Sequence, residues 1–528
     1  QPRVPAPPGL RARRLTAMLL DHAETPAGTA ATSSLVANAL PGLEARFVAE
    51  RLAGGAAPTL LYVTRDAQRS AALGQLVRFF APDIEVLTLP AWDCLPYDRV
   101  SPNAGVVAER LATLHALAQG AAQRPRLLLV SANALIQKLP PPAAVRASHL
   151  FVRTGAKVDR EALIQHLERN GYQRVGTVVE PGDYEVRGGL VDLFPTGAGE
   201  PVRLDFFGST LETIRRFDPA TQRTTDRLQT VELGPVSEVL LDEAAIDRFK
   251  TGYLRQFGAV TDDPLLESVT AGRHYPGMEH WLPLFHDKLV TIFEYLEGKV
   301  EVAFDHLALD TVTARQAAIG EQYEIRTGGA ALTGAFGSLP YRALPPDTLY
   351  LDEESVRALL SPRTTWLFSI FAPPPVAPSG IAELRDLEGR PGRDFARERA
   401  DRQINLFEAI AAHLNALKAA GQSPIITVHG QGAADRLAQV LVDHALEPPL
   451  RIERMAERVD GAVHLAILPL ETGVTAPGLC LIGEQDLLGE RLTRRQARRA
   501  KAADKFIQDV GTLSEGDPVV HAEHGIGR

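Results

Sequence analysis

Short apolar runs alternate with helical stretches of ten or more residues from about residue 59 onward. The runs are Thr59–Val63, Ile84–Leu89 and Arg126–Val130, and the helical stretch after Asn103 repeats apolar residues at helical spacing. Apolar strands joined by helices are typical of a parallel sheet that is covered on both faces. The sequence therefore predicts an α/β domain of nucleotide-binding type in this region.

Between about Ala147 and Pro235 the pattern changes to one helix, Asp159–Asn170, followed by short strands with turn sequences. Asp159 is a candidate N-cap and Gly171 a candidate C-cap of this helix. We interpret this region as a small α+β domain inserted in the chain. After the proline-rich linker 371–380 a second small α/β unit is predicted.

These patterns predict a chain of several domains. The predicted division is a disordered leader (1–28), the first part of the α/β domain (29–148), the inserted α+β domain (149–235), the second part of the α/β domain (236–375), a small α/β domain (376–490), a basic linker helix (491–515) and the start of a further domain (516–528).

One predicted strand of the inserted domain, in the stretch EPVRLDFFGST (200–210), places an aromatic side chain on its charged face. Alternation puts Val202, Leu204 and Phe206 on one side and Arg203, Asp205 and Phe207 on the other. Two roles are open for Phe207: an exposed binding residue, or packing against a neighbouring domain.

Composition limits the class of protein. The 528 residues carry a net charge of −9 and two cysteines, too few for a disulfide framework, which favours a reducing cytoplasm. No apolar run approaches the roughly 18 residues of a membrane span, so no membrane partner is expected. Residues 491–505 hold seven basic residues against one acid, either as a solvated helix face or as a contact to nucleic acid or an acidic partner.

The motifs that would indicate catalysis are missing or incomplete. The phosphate-binding pattern G-x-x-x-x-G-K-[ST] does not occur, and Asp352 is interpreted as a helix N-cap rather than a magnesium ligand. Gly430 and Gly432 resemble a dinucleotide fingerprint whose third glycine is replaced, so a tight turn is predicted there. His521 and His524 lack a third metal ligand nearby. We therefore predict no catalytic residue, bound cofactor or metal in this chain.

Several segments together resemble the bacterial transcription-repair coupling factors. They are LPAWDCLPYDRVSPNAGVVAERLATLHAL (89–117), YEVRGGLVDLFP (184–195), RLDFF (203–207), GLCLIGEQDLLGER (478–491) and GDPVVHAEHGIGR (516–528). The resemblance implies a degenerate helicase-like (RecA-like) parallel α/β domain similar to that of UvrB, with the α+β domain inserted in it. Tyr97 is the one aromatic where UvrB carries a tyrosine-rich hairpin, so insertion into a DNA strand is not expected.

In this family the inserted domain docks onto UvrA, and the positions that match its contact motif are Arg187, Arg203 and Phe207. The resemblance also implies a longer parent in which RNA polymerase β subunit and double-stranded DNA are partners and motor domains use ATP and magnesium. For this chain we expect a monomeric, non-enzymatic adaptor in transcription-coupled nucleotide-excision repair. Two alternatives stay open: a UvrB-like nucleotide-dependent helicase, and a DNA-binding module that uses the basic helix.

The interface interpretation predicts how substitutions behave. Phe207→Ala and Arg203→Glu should each weaken UvrA capture at an unchanged melting temperature, because outward side chains contribute little to folding. Phe206→Ala should instead destabilise the domain.

Overall fold

The computed structural model describes residues 32–489, except 56, 260–261, 329–340, 402 and 445–446, and the short strands Val519–His521 and Gly525–Gly527. The chain forms two compact units, one that extends to Asp386 and one from Leu387 onward that also includes Leu40–Arg46. Within the described residues, no helix has the length and apolar character needed to cross a bilayer. The predicted leader and basic linker helix lie outside the described residues.

The largest sheet of the first unit has seven strands. They are β1 (Ser33–Ala37), β2 (Thr59–Thr64), β3 (Glu85–Leu89), β4 (Arg126–Ser131), β13 (Val300–Phe304), β14 (Thr365–Phe368) and β15 (Ile381–Asp386). Their order across the sheet is β15, β1, β14, β13, β2, β4, β3, and each neighbouring pair is parallel.

Helices connect and cover these strands. Up to residue 360 they are α1 (Leu43–Ala53), α2 (Ala67–Phe80), α3 (Ala104–Ala118), α4 (Ala132–Leu135), α5 (Pro142–Ala147), α6 (Arg160–Arg169), α7 (Glu243–Phe257), α8 (Pro264–Thr270), α9 (Ala308–Gly328), α10 (Pro346–Leu349) and α11 (Glu353–Leu360), with 3₁₀ helices at Met278–Leu284 and Ile292–Tyr295.

The mixed α/β class and the parallel sheet are confirmed. Every residue of β2 and β4 is buried, as expected for central strands covered on both faces. The aromatic side chains of Trp281 and Phe285 are also buried in this unit. Strand β15 follows the proline-rich linker, yet it pairs with β1, so the first unit includes a strand that the sequence assigned to the next domain.

The segment 150–238 forms its own sheets within the first unit. Its strands are β5 (Leu150–Arg153), β6 (Gln173–Arg174), β7 (Asp183–Arg187), β8 (Leu190–Leu193), β9 (Val202–Phe207), β10 (Thr210–Phe217), β11 (Thr224–Leu228) and β12 (Thr230–Leu233). Strands β11, β10, β9, β8, β7 and β6 form a six-stranded sheet in this order, and β12 pairs with β5.

Helix α6 covers one face of this six-stranded sheet. Its N-cap is Asp159, whose carboxylate accepts hydrogen bonds from the backbone N–H groups of Glu161 and Ala162, as predicted. Leu163 and Leu167 of the helix are buried in the core that this face forms. The charged side chains described below lie on the opposite face of the sheet.

The second unit is a smaller α/β structure. Its strands are β16 (Arg390–Pro391), β17 (Ile425–Val428), β18 (Leu450–Arg451), β19 (His464–Ile467), β20 (Val474–Ala476) and β21 (Leu479–Gly483), and its helices are α12 (Ala396–Ala400), α13 (Leu406–Ala419), α14 (Gln431–Asp443) and α15 (Glu484–Leu488), with a 3₁₀ helix at Met455–Glu457. The sheet order is β16, β20, β21, β17, β19, β18. Strands β22 (Val519–His521) and β23 (Gly525–Gly527) form a separate antiparallel pair.

Candidate functional site

Two neighbouring hairpin ends of the six-stranded sheet carry Arg187, the last residue of β7, and Phe207, the last residue of β9, whereas Arg203 lies further back along β9. The β7–β8 hairpin turns at Gly188 (φ +58°) and the β9–β10 hairpin turns at Gly208 (φ +61°), both backbone conformations that glycine adopts readily. The backbone N–H of Phe206 donates to the carbonyl oxygen of Gly189 over 2.9 Å. The two turns therefore lie side by side.

Phe207 is the last residue of β9 and is 77% exposed. The residue before it, Phe206, is 7% exposed and packs in the core under α6. The predicted alternation along this strand is therefore confirmed: its apolar face is buried and Phe207 lies on the opposite face.

Arg203, on the same face as Phe207, is held by a carboxylate of the neighbouring strand. Its Nε and Nη2 donate to the two oxygens of Asp192 over 2.7 and 2.8 Å. Arg187 donates from Nη2 to Oδ2 of Asp192 over 2.9 Å. Asp192 is buried and lies on β8, between the strands β7 and β9 that carry the two arginines. Its carboxylate therefore contacts both of them.

The two arginines differ in accessibility. The side chain of Arg187 is 52% exposed, whereas that of Arg203 is 19% exposed. Hydrogen bonding to Asp192 is the main cause that raises the pKa of the Arg203 guanidinium. Arg203 also lies over the ring of buried Phe217, at 5.2 Å from its centroid.

The prediction that Arg203→Glu would leave the melting temperature unchanged is wrong on this geometry. A glutamate at 203 would place a carboxylate against the buried carboxylate of Asp192 and would remove its two-point hydrogen bond. Such a substitution leaves an uncompensated buried charge, which is strongly destabilising. Arg203 therefore has a structural role in addition to any role in binding.

Sequence reasoning missed Asp192. The available signal was a lone acid between two buried apolar residues of β8, Val191 and Leu193. Counting back from the turn at Gly188 pairs Asp192 of β8 with Glu185 of β7. The pairing of β8 with β9 places Asp192 opposite Arg203.

Several other sequence interpretations have a clear structural outcome. Asp352 is the N-cap of α11, where its carboxylate accepts from the backbone N–H of Ser355 over 2.8 Å. Hydrogen bonding from the side chain and then from the backbone of Ser355 lowers the pKa of this carboxyl. Gly430 is the N-cap of α14 in the predicted turn between β17 and this helix, whereas Gly432 lies within the helix. Tyr97 is buried and donates from its hydroxyl to the carbonyl of Leu344, so its ring is enclosed in the core.

Two predicted features lie wholly or partly outside the described residues. The basic stretch 491–505 is outside them, and so is His524. His521 ends strand β22, in agreement with its interpretation as a strand-end histidine.

Comparison with known proteins identifies the segment that carries Phe207. Residues 150–238 match the family described as UvrB interaction domain. The chain is also 31% identical to the transcription-repair-coupling factor of Escherichia coli K12, over 91% of this chain and 40% of that protein. The corresponding factor of Myxococcus xanthus is 32% identical over 93% of this chain and 42% of its own length. That of Haemophilus influenzae is 28% identical over 94% and 42%.

These matches cover nearly all of the chain, which spans about 40% of the length of the relatives it matches. Over nearly all of its length, the chain is therefore similar to a portion of the transcription-repair-coupling factors.

Proposed function

We propose that this chain is the adaptor portion of a transcription-repair coupling factor and recruits UvrA through the surface at the two hairpin ends. The observation that carries the proposal is the exposed ring of Phe207, which lies in the segment that matches the UvrB interaction domain. Large exposed aromatics flanked by arginine are typical of interface hot spots.

The residues of this surface have different roles in the proposed binding. The ring of Phe207 supplies apolar area that a pocket on UvrA would bury. Arg187, half-exposed, is placed to meet a carboxylate of the partner and to orient the encounter. Arg203 and Asp192 keep Arg187 in position, because Asp192 accepts from both arginines.

Nucleotide binding is not part of the proposed role of this chain. The loop after β1, which would hold the phosphates in a helicase-like domain, lacks the glycine-lysine pattern. A Cβ atom at Gly42 in that loop would lie 2.8 Å from Cδ1 of Leu481, so the loop is closely packed by an apolar side chain. We assign ATP, magnesium and DNA translocation to motor domains of a longer parent, which would also engage RNA polymerase β subunit and double-stranded DNA.

Capture of purified UvrA by the immobilised chain tests the proposal. We expect saturable binding that does not require ATP or DNA, and that Phe207→Ala weakens it. Phe151 is a matched control, because it is 64% exposed and lies in the same matched segment, on β5. Absence of binding to UvrA, or equal loss with Phe151→Ala, would contradict the proposed surface.

A further inference from the structure

Three side chains from distant parts of the sequence meet where the segment 150–238 joins the parallel α/β structure. They are His115 in the last turn of α3, His149 just after α5 and Glu232 of β12. The Nε2 atom of His115 lies 2.9 Å from Oε1 of Glu232, and Nε2 of His149 lies 4.0 Å from the same oxygen. One ligand atom from each residue lies within 4.8 Å of the other two.

His149 is oriented as a metal ligand would be. Its Nδ1 lies 2.8 Å from the carbonyl oxygen of Val145, so Nδ1–H donates there and the lone pair of Nε2 is directed to the other two residues. Metal-binding histidines generally have such a partner on the second nitrogen, because it fixes the tautomer and the ring orientation. The side chain is 5% exposed.

Gly234 packs closely against this ring. A Cβ atom there would lie 3.0 Å from Nε2 of His149 and 3.1 Å from Oγ1 of Thr196. A larger residue at 234 would therefore crowd the nitrogen. The rings of His115 and His149 are stacked, with centroids 3.6 Å apart and planes 24° from parallel.

We propose that His115, His149 and Glu232 form a binding site for a divalent transition metal ion of the Zn²⁺ class, with solvent completing its coordination. Two imidazoles and one carboxylate are a known ligand set for Zn²⁺, at distances of about 2.0–2.2 Å from the ion. Ligands at such distances lie about 3.4 Å apart in a tetrahedral site. Because an imidazole nitrogen binds a metal ion in the plane of its ring, one of the two stacked rings would have to rotate for both to bind the same ion.

The ligand set also selects the class of ion. Calcium takes six to eight oxygen ligands and magnesium a near-octahedral oxygen shell, whereas this site offers a single carboxylate. Imidazole nitrogens favour zinc, copper, iron and nickel.

An ion at this position would connect α3, the chain after α5 and β12. The chain after α5 leads into the segment 150–238, and β12 lies near the end of that segment. Because an ion that binds the folded chain and not the unfolded one stabilises the fold, the ion would stiffen the base from which the Phe207 surface projects.

Metal titration of the whole purified chain, first treated with a chelator, tests the site. Co²⁺ would be followed by its visible absorption and Zn²⁺ by calorimetry and by the melting temperature. We expect one equivalent of Zn²⁺ to bind and to raise the melting temperature. His149→Ala and Glu232→Gln should each weaken binding at least tenfold, whereas His429→Ala, a change at an exposed histidine of the second unit, should not.

Glu232→Gln guards against a folding defect, because its side chain is 41% exposed and the change conserves its shape. Binding of Zn²⁺ by this variant with the parent's affinity would overturn the proposal. Absence of Co²⁺ absorption bands from nitrogen ligands in the unsubstituted chain would also overturn it. So would a loss of metal affinity in the His429→Ala control equal to that of the site variants.

Discussion

Two arginine–carboxylate clusters include residues of the segment 150–238, and they differ mainly in how much of their side chains solvent reaches. The root cluster consists of Trp92, Arg110 and Glu238, and the tip cluster of Arg187, Asp192 and Arg203. In the root cluster the side chains of Arg110 and Glu238 are both fully buried. In the tip cluster only Asp192 is buried, and Arg187 is half-exposed.

The root cluster satisfies its own polar atoms. Nε of Arg110 donates to Oε1 of Glu238 over 2.5 Å and Nη1 to the carbonyl oxygen of Pro90 over 2.6 Å. Nε1 of Trp92 donates to Oε1 of Glu238 over 2.8 Å. A closed set of this kind holds the segment to α3 and has no surface to offer a partner.

The tip cluster uses the same chemistry but leaves one cation accessible. Asp192 accepts from two arginines, so Arg187 can turn to a partner while Arg203 still neutralises the carboxylate. Solvent access, rather than residue type, therefore distinguishes a cluster that anchors the segment from one that is available for recognition.

The largest expected effect is loss of the root arginine. Arg110→Ala leaves Glu238 as an uncompensated buried charge and should destabilise the first unit by about 3–5 kcal/mol. Denaturant unfolding measures this. Arg216→Ala is the control, because Arg216 pairs with Glu200 at the surface and such pairs contribute about 1 kcal/mol or less. Equal effects of the two changes would show that the root cluster is not an anchor.

The two adjacent phenylalanines of β9 sharpen the distinction between core and surface. Phe206→Ala should cost about 3–5 kcal/mol, because its ring is buried under α6. Phe207→Ala should change the free energy of unfolding by no more than about 0.5 kcal/mol. Urea unfolding of both variants compares them directly, and an early transition of Phe207→Ala would place its ring in a packed environment.

The tip arginines should differ in their effect on stability. Arg203→Ala should cost about 2 kcal/mol, because it removes two charged hydrogen bonds from buried Asp192. Arg187→Ala should cost less than about 1 kcal/mol, since its side chain is half in solvent. A double-mutant cycle of each arginine with Asp192→Asn isolates the coupling. Larger coupling for Arg187 than for Arg203 would reverse the assignment of the two roles.

Local patterns predicted much of this structure. Apolar runs predicted the buried strands β2 and β4, and residue type and position predicted the N-caps Asp159 and Asp352. The exposure of Phe207 followed from a period of two along one strand. Each of these features depends on residues close together in the sequence.

The remaining features depend on pairings between distant segments. Strand β15 pairs with β1 across more than 300 residues of sequence, and nothing in its composition indicates that partner. The link from Arg187 to Arg203 required the register of three strands, because Asp192 lies between them. For the same reason His115 and Glu232 gave no metal motif in the sequence.

The affinity for UvrA of the unsubstituted chain, of Phe207→Ala and of Phe151→Ala shows whether the hairpin ends form the docking surface. Loss of a central hot spot costs about 2 kcal/mol or more, so Phe207→Ala should raise Kd about 30-fold or more. Phe151 is also a largely exposed aromatic of the same segment, so Phe151→Ala should keep the Kd of the unsubstituted chain within about twofold, as expected of a residue outside the hot spot. A parent-like Kd for Phe207→Ala, with both variants folded, would contradict the assignment of the hairpin ends as the docking surface.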